Sequence, residues 1–441
     1  MATEIPTQTA AVSAPKMQQS RFADLSLFHS AVDEVLARMN NNQRPDPSHA
    51  SVQGANCVTQ LAEAHGVIHA DAAAANTALA GLPEVCDSNP VAYCASLARN
   101  LGLAILHGDQ DLTKRYKAQL TAKVGVCDPH WLEAAEKYAE FVASRGKIPY
   151  RVWKNIGDFV IEGKLPADAR IGIIGDWGTG QPDARAVLQQ MARRKPQVAI
   201  HLGDIYYSAT QFEVDNYFWK IWKDVLNLPA SGIASYTLAG NHDMFGGGAA
   251  YYNLLDRLGQ PASYFCLRND NWQIIALDTG LHDCKPTGTD PTYLEQTEVD
   301  WLRDKIQNRG NRRTMLLSHH QLFSAFEDIP GSGPVNQKLY SQLKDLLPNV
   351  AIWLWGHEHN QVIYKKYLGV LGRCIGHGAF PIGFDENPKI KHAEIPVEDV
   401  RLSGNPFLDH GYVVVDLNGR NAKISYFVSS NENNPVFTET L

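Results

Sequence analysis

Residues 171 to 180 read IGIIGDWGTG. Ile171, Ile173 and Ile174 form a short apolar run that breaks at Gly175-Asp176 into a glycine-rich turn, the pattern of a buried strand entering a tight loop. The pattern recurs four times downstream. Val198, Ile200 and Leu202 lead into GDIYY (203 to 207), and further apolar runs precede GNHD (240 to 243), LLSHH (316 to 320) and GHEHN (356 to 360), the last after Ile352 and Leu354. Open α/β sheets place their ligands at strand ends, so five loops are expected along one rim. These loops contribute carboxylates, an amide, a phenol and imidazoles, which is the ligand set of a two-metal hydrolase site.

The five segments, in this order and each after a strand, resemble the calcineurin-like metallophosphoesterases. Within that family Asp204-Ile205-Tyr206-Tyr207 fits the GDxxY segment of the purple acid phosphatases. The resemblance runs from about residue 170 to 430. It implies a four-layer α/β (α+β) sandwich, two mixed β-sheets packed together with helices outside. It also implies two metal ions, one held by Asp176, Asp204, Tyr207 and His359 and the other by Asp204, Asn241, His319 and His357. The residue types make chemical sense there. Two cations roughly 3.5 to 4 Å apart need a shared anionic ligand, the role of Asp204. Asn241 offers a neutral oxygen that leaves its metal more electrophilic than another carboxylate would. The glycines before Asp176, Asp204, Asn241 and His357 are expected to let the backbone turn sharply and come close to the ions.

Many relatives carry a histidine two residues after the first aspartate, where this chain has Gly178. In the purple subgroup the missing ligand is a tyrosine, here Tyr207, and a phenolate favours a trivalent ion, so Fe(III) is expected with Fe(II), Zn(II) or Mn(II). The other reading is that Tyr207 only packs, with Tyr206 an equal candidate for burial. The resemblance assigns His242 to the substrate phosphate and leaving group, with an orienting role as its alternative. For His320 substrate contact and simple exposure stand side by side. His377 is a candidate for orienting a ligand, and His201 reads as a core histidine. Taken alone, Asp176 could be an N-cap of a helix around Asp183 to Met191.

The resemblance further implies a metal-bound hydroxide attacking phosphorus in line, with no phosphoenzyme. No GxSxG, P-loop or Cys-His arrangement stands out as a rival nucleophile or phosphate cradle. The leading reading is an acid-phosphatase-like phosphomonoesterase. The alternative is a phosphodiesterase acting on a nucleotide or phospholipid-type diester, and the third is a non-catalytic scaffold that binds a protein partner through its helices.

With 441 residues and 44% hydrophobic content the chain can bury two or three domains. A net charge of −7 provides no nucleic-acid-binding face. No membrane span or hydrophobic signal core is seen, and seven scattered cysteines favour reduced thiols in a cytoplasm. A ferric site fits a reducing compartment poorly, which leaves export by a route without a cleaved signal open.

Residues 1–20 read as a disordered tail and 21–146 as a helical N-terminal domain, the expected place for a protein partner or oligomer contact. There, His65 and His69 sit at i, i+4, but Gly66 interrupts and no further ligand is at hand. Residues 147–169 read as a linker containing a strand, and 170–441 as the catalytic domain. Within it, helices are expected over Glu213 to Leu226, Glu295 to Asn308 and Asn336 to Leu346, and strands over Tyr412 to Leu417 and Ala422 to Val428.

Overall fold

The computed structural model describes Phe141 and residues 147–441, apart from 207, 285–289, 381, 383–387, 401 and 405–407. Tyr207, His65, His69 and nearly all of the expected helical region lie outside the described residues.

Two sheets make up the body. The smaller has six strands in the order β14-β13-β12-β2-β3-β4, with β2 Arg170–Ile174, β3 Val198–His201, β4 Ala234–Thr237, β12 Gly411–Asn418, β13 Asn421–Val428 and β14 Phe437–Thr440. The larger has eight, in the order β1-β5-β6-β7-β8-β10-β9-β11. Its strands are β1 Val160–Glu162, β5 Phe265–Arg268, β6 Trp272–Ala276, β7 Arg313–Ser318, β8 Ile352–Trp355, β9 Gln361–Tyr364, β10 Gly372–Ile375 and β11 Val397–Val400. Both mix parallel and antiparallel pairs: β2, β3 and β4 run parallel, as do β6, β7 and β8, while β12 and β13 return antiparallel.

Alternation of side chains explains the layers. Ile171, Ile173, Val413 and Val415 of the small sheet face Ile274, Leu317 and Leu354 of the large one in a buried inner core. The opposite face of the small sheet (Ala199, Val414) is covered by helix α1, Pro182–Arg193, through Ala184, Leu188 and Met191. Cys266, Ile275, Leu316 and Trp353 on the far face of the large sheet pack beneath α6, Gln296–Gln307, and α7, Gln337–Leu343. Between these lie α2 Gln211–Glu213, a π-helical turn Val214–Trp219, α3 Lys220–Val225, α4 Asn241–Phe245 and α5 Ala249–Leu258. The result is the expected helix, sheet, sheet, helix sandwich. Among the described residues no helix is long and apolar enough to cross a membrane.

Residues 147–169, read from the sequence as a linker, are built into this body. β1 adds to the edge of the large sheet through β5. Tyr150 donates to the Glu298 carboxylate (3.1 Å), Trp153 Nε1 to the Thr297 carbonyl (2.8 Å), and Trp301 Nε1 to the Asp158 carbonyl (2.8 Å). Their apolar rings cover the α6 side of the sheet, a surface that has to be closed by something.

Candidate metal centre

Parallel pairing brings the C-terminal ends of β2, β3 and β4 together, and those of β7 and β8 likewise. Asp176, Asp204, Asn241, His319, His357 and His359 all lie just past these ends, on one rim of the sandwich. Asp176 does not cap a helix, since α1 begins after Gln181. Four of the six adopt left-handed backbone: Asp176 (φ 54°), Asp204 (74°), His357 (67°) and His359 (39°). Such conformations cost energy outside glycine and concentrate at functional sites.

The preceding glycines act differently from expectation, because the sharp bend is mostly taken by the ligand residues themselves. Gly240 has ordinary extended backbone (φ −95°). What Gly240 and Gly356 supply is room: a Cβ on the first would collide with the Asp204 carboxylate, and on the second with Asp176 Oδ2.

One cluster of donor atoms centres on His319. Its Nε2 lies 3.1 Å from Asn241 Oδ1, 3.4 Å from Asp204 Oδ2 and 3.2 Å from His357 Nδ1. Its Nδ1 lies 3.0 Å from the Leu202 carbonyl, an acceptor, so Nδ1 carries a proton and Nε2 is the nitrogen turned toward the other three. Two donors each about 2.1 Å from a shared ion stand about 3.0 Å apart at a right angle and about 3.4 Å apart at a tetrahedral one. The three spacings to His319 Nε2 fall on these values, and Asp176, Asp204 and His319 offer donor atoms all within 4.8 Å of one another, so this rim presents candidate metal ligands around His319. Burial alone would depress the His319 imidazole, yet Asp204 and Asp176 lift it to about 9. The site draws in positive charge. Asp204 shows the converse: burial would raise it, but His319, His242 and His357 hold it well below the usual carboxylate range.

A second cluster lies beside it. Asp176 Oδ1 and His359 Nε2 are 3.4 Å apart, and the Tyr206 hydroxyl reaches both, at 3.2 and 2.9 Å. Asp176 Oδ2 accepts from the His357 amide (2.8 Å), which ties the two clusters together. Among the described residues, the phenol found here is that of Tyr206. Burial, Asp176 and Asp204 together push it well above the usual phenol range, so without a cation it stays protonated.

His242 stands at the edge of both clusters, its Nε2 4.0 Å from Asp204 Oδ2 and its side chain 12% exposed, more open than that of Asp204 or His319. His320 is not open in this way. Its Nδ1 meets Thr279 Oγ1 and its Nε2 meets Asp283 Oδ2, each at 3.0 Å, and its ring lies 4.4 Å from that of His357. With both nitrogens engaged, His320 is suited to holding His357 in place. His377 is buried against Gly411, away from the ligand atoms, and burial pushes it down to about 3. His201 is a core histidine bonded to Thr237 (3.0 Å).

Two residues that matter here were not singled out from the sequence. Asp243 accepts from the amides of Asp204 (2.9 Å), Ile205 (3.2 Å) and Gly240 (2.8 Å), fixing two ligand loops at once. Its only sequence signal is its place at the end of GNHD. Asp283, the partner of His320, lies in an irregular stretch with no motif around it.

Residues 169–361 match the Calcineurin-like phosphoesterase family. The chain is 31% identical over 94 residues to a 3',5'-cyclic adenosine monophosphate phosphodiesterase of Pseudomonas aeruginosa, covering 21% of this chain and 32% of that one. It is 28% identical over 144 residues to the Escherichia coli K12 enzyme of the same name, covering 30% and 48%. The chain thus spans half or less of the length of these relatives. Among solved structures, a dimetal phosphatase from Danio rerio is similar at 14% identity and a TM-score of 0.42, covering 62% of this chain and 98% of that one. Residues 169–361, which match the family model, are thus also the segment that carries the parallel strand ends and the converging donors.

Proposed function

We propose that the protein hydrolyses a phosphoric ester at a centre of two metal ions that share Asp204. The observation that carries this is the set of donor atoms from Asn241, Asp204 and His357 that converge on His319 Nε2 at 3.1 to 3.4 Å. Asn241, His319, His357 and Asp204 would hold one ion, and Asp176, His359, Asp204 and a phenol the other. When bound, the ions lower the pKa of a water and neutralise charge on phosphorus. The protein's own part is orientation and proton supply. Asp243 and the Leu202 carbonyl hold Asp204 and His319 in place, while His242 faces the leaving-group side and gives it a proton.

The five-motif pattern favours a phosphomonoester, in the manner of purple acid phosphatases. The names of the bacterial relatives favour a diester such as a cyclic nucleotide. Full-length protein stripped with a chelator and reloaded with iron, zinc or manganese should be assayed on an aryl monoester, a bis-aryl diester and 3',5'-cyclic AMP. Metal-dependent turnover of any of them supports ester hydrolysis, and their ratio decides between the two readings. Equal turnover before and after stripping would overturn the metal-centred proposal.

A further inference from the structure

We propose that the phenol ligand of the first metal is Tyr206, two residues after the bridging aspartate, and not Tyr207 at the third position. The assignment rests on the metal-centre reading above. Its geometric basis is the triangle of Asp176 Oδ1, His359 Nε2 and Tyr206 Oη, with edges of 3.4, 3.2 and 2.9 Å. Ligands at about 2.1 Å from one ion give edges of this size.

The loop is held so that this hydroxyl stays where it is. On its N-terminal side Asp243 takes the amides of Asp204 and Ile205. On its C-terminal side the buried Glu213 carboxylate takes the amides of Ser208 (3.1 Å) and Thr210 (2.8 Å). Between them the Tyr206 amide donates to the Gly178 carbonyl (3.0 Å), and the Gly178 amide to the Asp204 carbonyl (3.2 Å). That two-way contact requires glycine: a Cβ at 178 would lie 2.7 Å from the Asp204 oxygen and 2.8 Å from Ile205 Cα. The backbone approach that forbids a side chain at 178 is therefore the one that pins Tyr206 over Asp176. The ring is closed in by Phe380, Ile382 and Leu408, with Phe380 at 4.8 Å, and is 1% exposed. A buried ring wedged against apolar neighbours does not swing away from the carboxylate and imidazole that it faces.

The test uses full-length protein loaded with ferric iron, read by iron content and visible absorption, since a phenolate on Fe(III) gives a charge-transfer band. Tyr206→Phe should retain its fold and most of the second metal but lose the band. Tyr207→Phe, in which Tyr206 is the only phenol left on the loop, should keep both band and iron. A band that survives in Tyr206→Phe, or disappears in an iron-loaded Tyr207→Phe, overturns the assignment. If Tyr206→Phe does not fold, the Tyr207→Phe spectrum alone decides. Wild-type protein that takes up none of iron, zinc or manganese would instead sink the metal-centre reading, and one that takes up iron but shows no band would overturn this assignment alone.

Discussion

Gly240 leaves no space beside the carboxylate of Asp204: a Cβ on it would overlap Oδ1 and stand 2.7 Å from the Asp204 amide nitrogen. Gly240→Ala should therefore push Asp204 out of line with both donor clusters without removing a ligand. Because Gly240 has an ordinary φ, the effect comes from this contact and not from backbone strain. We expect an intact fold by circular dichroism, loss of most bound metal and a fall in ester hydrolysis of about 10²-fold or more, since small misplacements of a bridging ligand are costly. A variant with two metals and wild-type turnover would show that Asp204 tolerates displacement.

His242→Ala should separate proton supply from metal holding. The His242 side chain approaches Asp204 only to 4.0 Å, whereas its backbone amide donates to Asp204 Oδ1 at 3.1 Å and survives the substitution. Metal content should stay near two per chain while kcat falls on the order of 10² to 10⁴, the usual range for general acid catalysis. Metal loss in step with activity would mean that the imidazole only orients ligands.

Asp278 and Glu298 form a buried acidic pair behind the rim, with the Asp278 amide donating to Glu298 Oε1 (2.9 Å). Burial pushes Asp278 up to about 6, and burial together with Asp278 pushes Glu298 well above its usual range. The sign follows directly. A carboxyl whose pKa is raised on folding binds more protons in the native state, so stability is greatest below the unfolded pKa and is lost as pH rises through the folded one. Relative to Asp278→Asn, the wild type should lose about 3 kcal/mol between roughly pH 4 and pH 7. Parallel melting temperatures of the two proteins across that range would refute the buried-acid account.

Shortening the chain tests where the catalytic body begins. A chain starting at Lys147 keeps Tyr150, Trp153 and β1, and should melt cooperatively and bind metals. One starting at Lys164 contains all five motifs yet strips β1 and the Trp153 and Asp158 contacts from α6. It should melt at least about 5 °C lower or fail to fold. Equal melting temperatures would return residues 147–163 to the status of a linker.

The sequence alone was enough for which strand ends meet, because apolar runs that stop at glycine read as buried strands entering tight loops, while the layered fold came from the resemblance that those loops carry. Helices read over Glu295 to Asn308 and Asn336 to Leu346 stand at Gln296–Gln307 and Gln337–Leu343, and the closing strands at Gly411–Asn418 and Asn421–Val428. Asp176, Asp204, Asn241, His319, His357 and His359 were named through the same resemblance, whose motifs each sit just past a strand end. What the sequence could not decide was which way a side chain points within an irregular loop. Tyr206 and Tyr207 are neighbours of the same type, and only the contact between residues 178 and 205, set by a left-handed turn at Asp204, brings one hydroxyl onto Asp176 and His359. Asp243 and Asp283 were hidden for a related reason. They act on partners 37 to 39 positions away through hydrogen bonds that have no sequence periodicity, and only the tertiary structure brings donor and acceptor together.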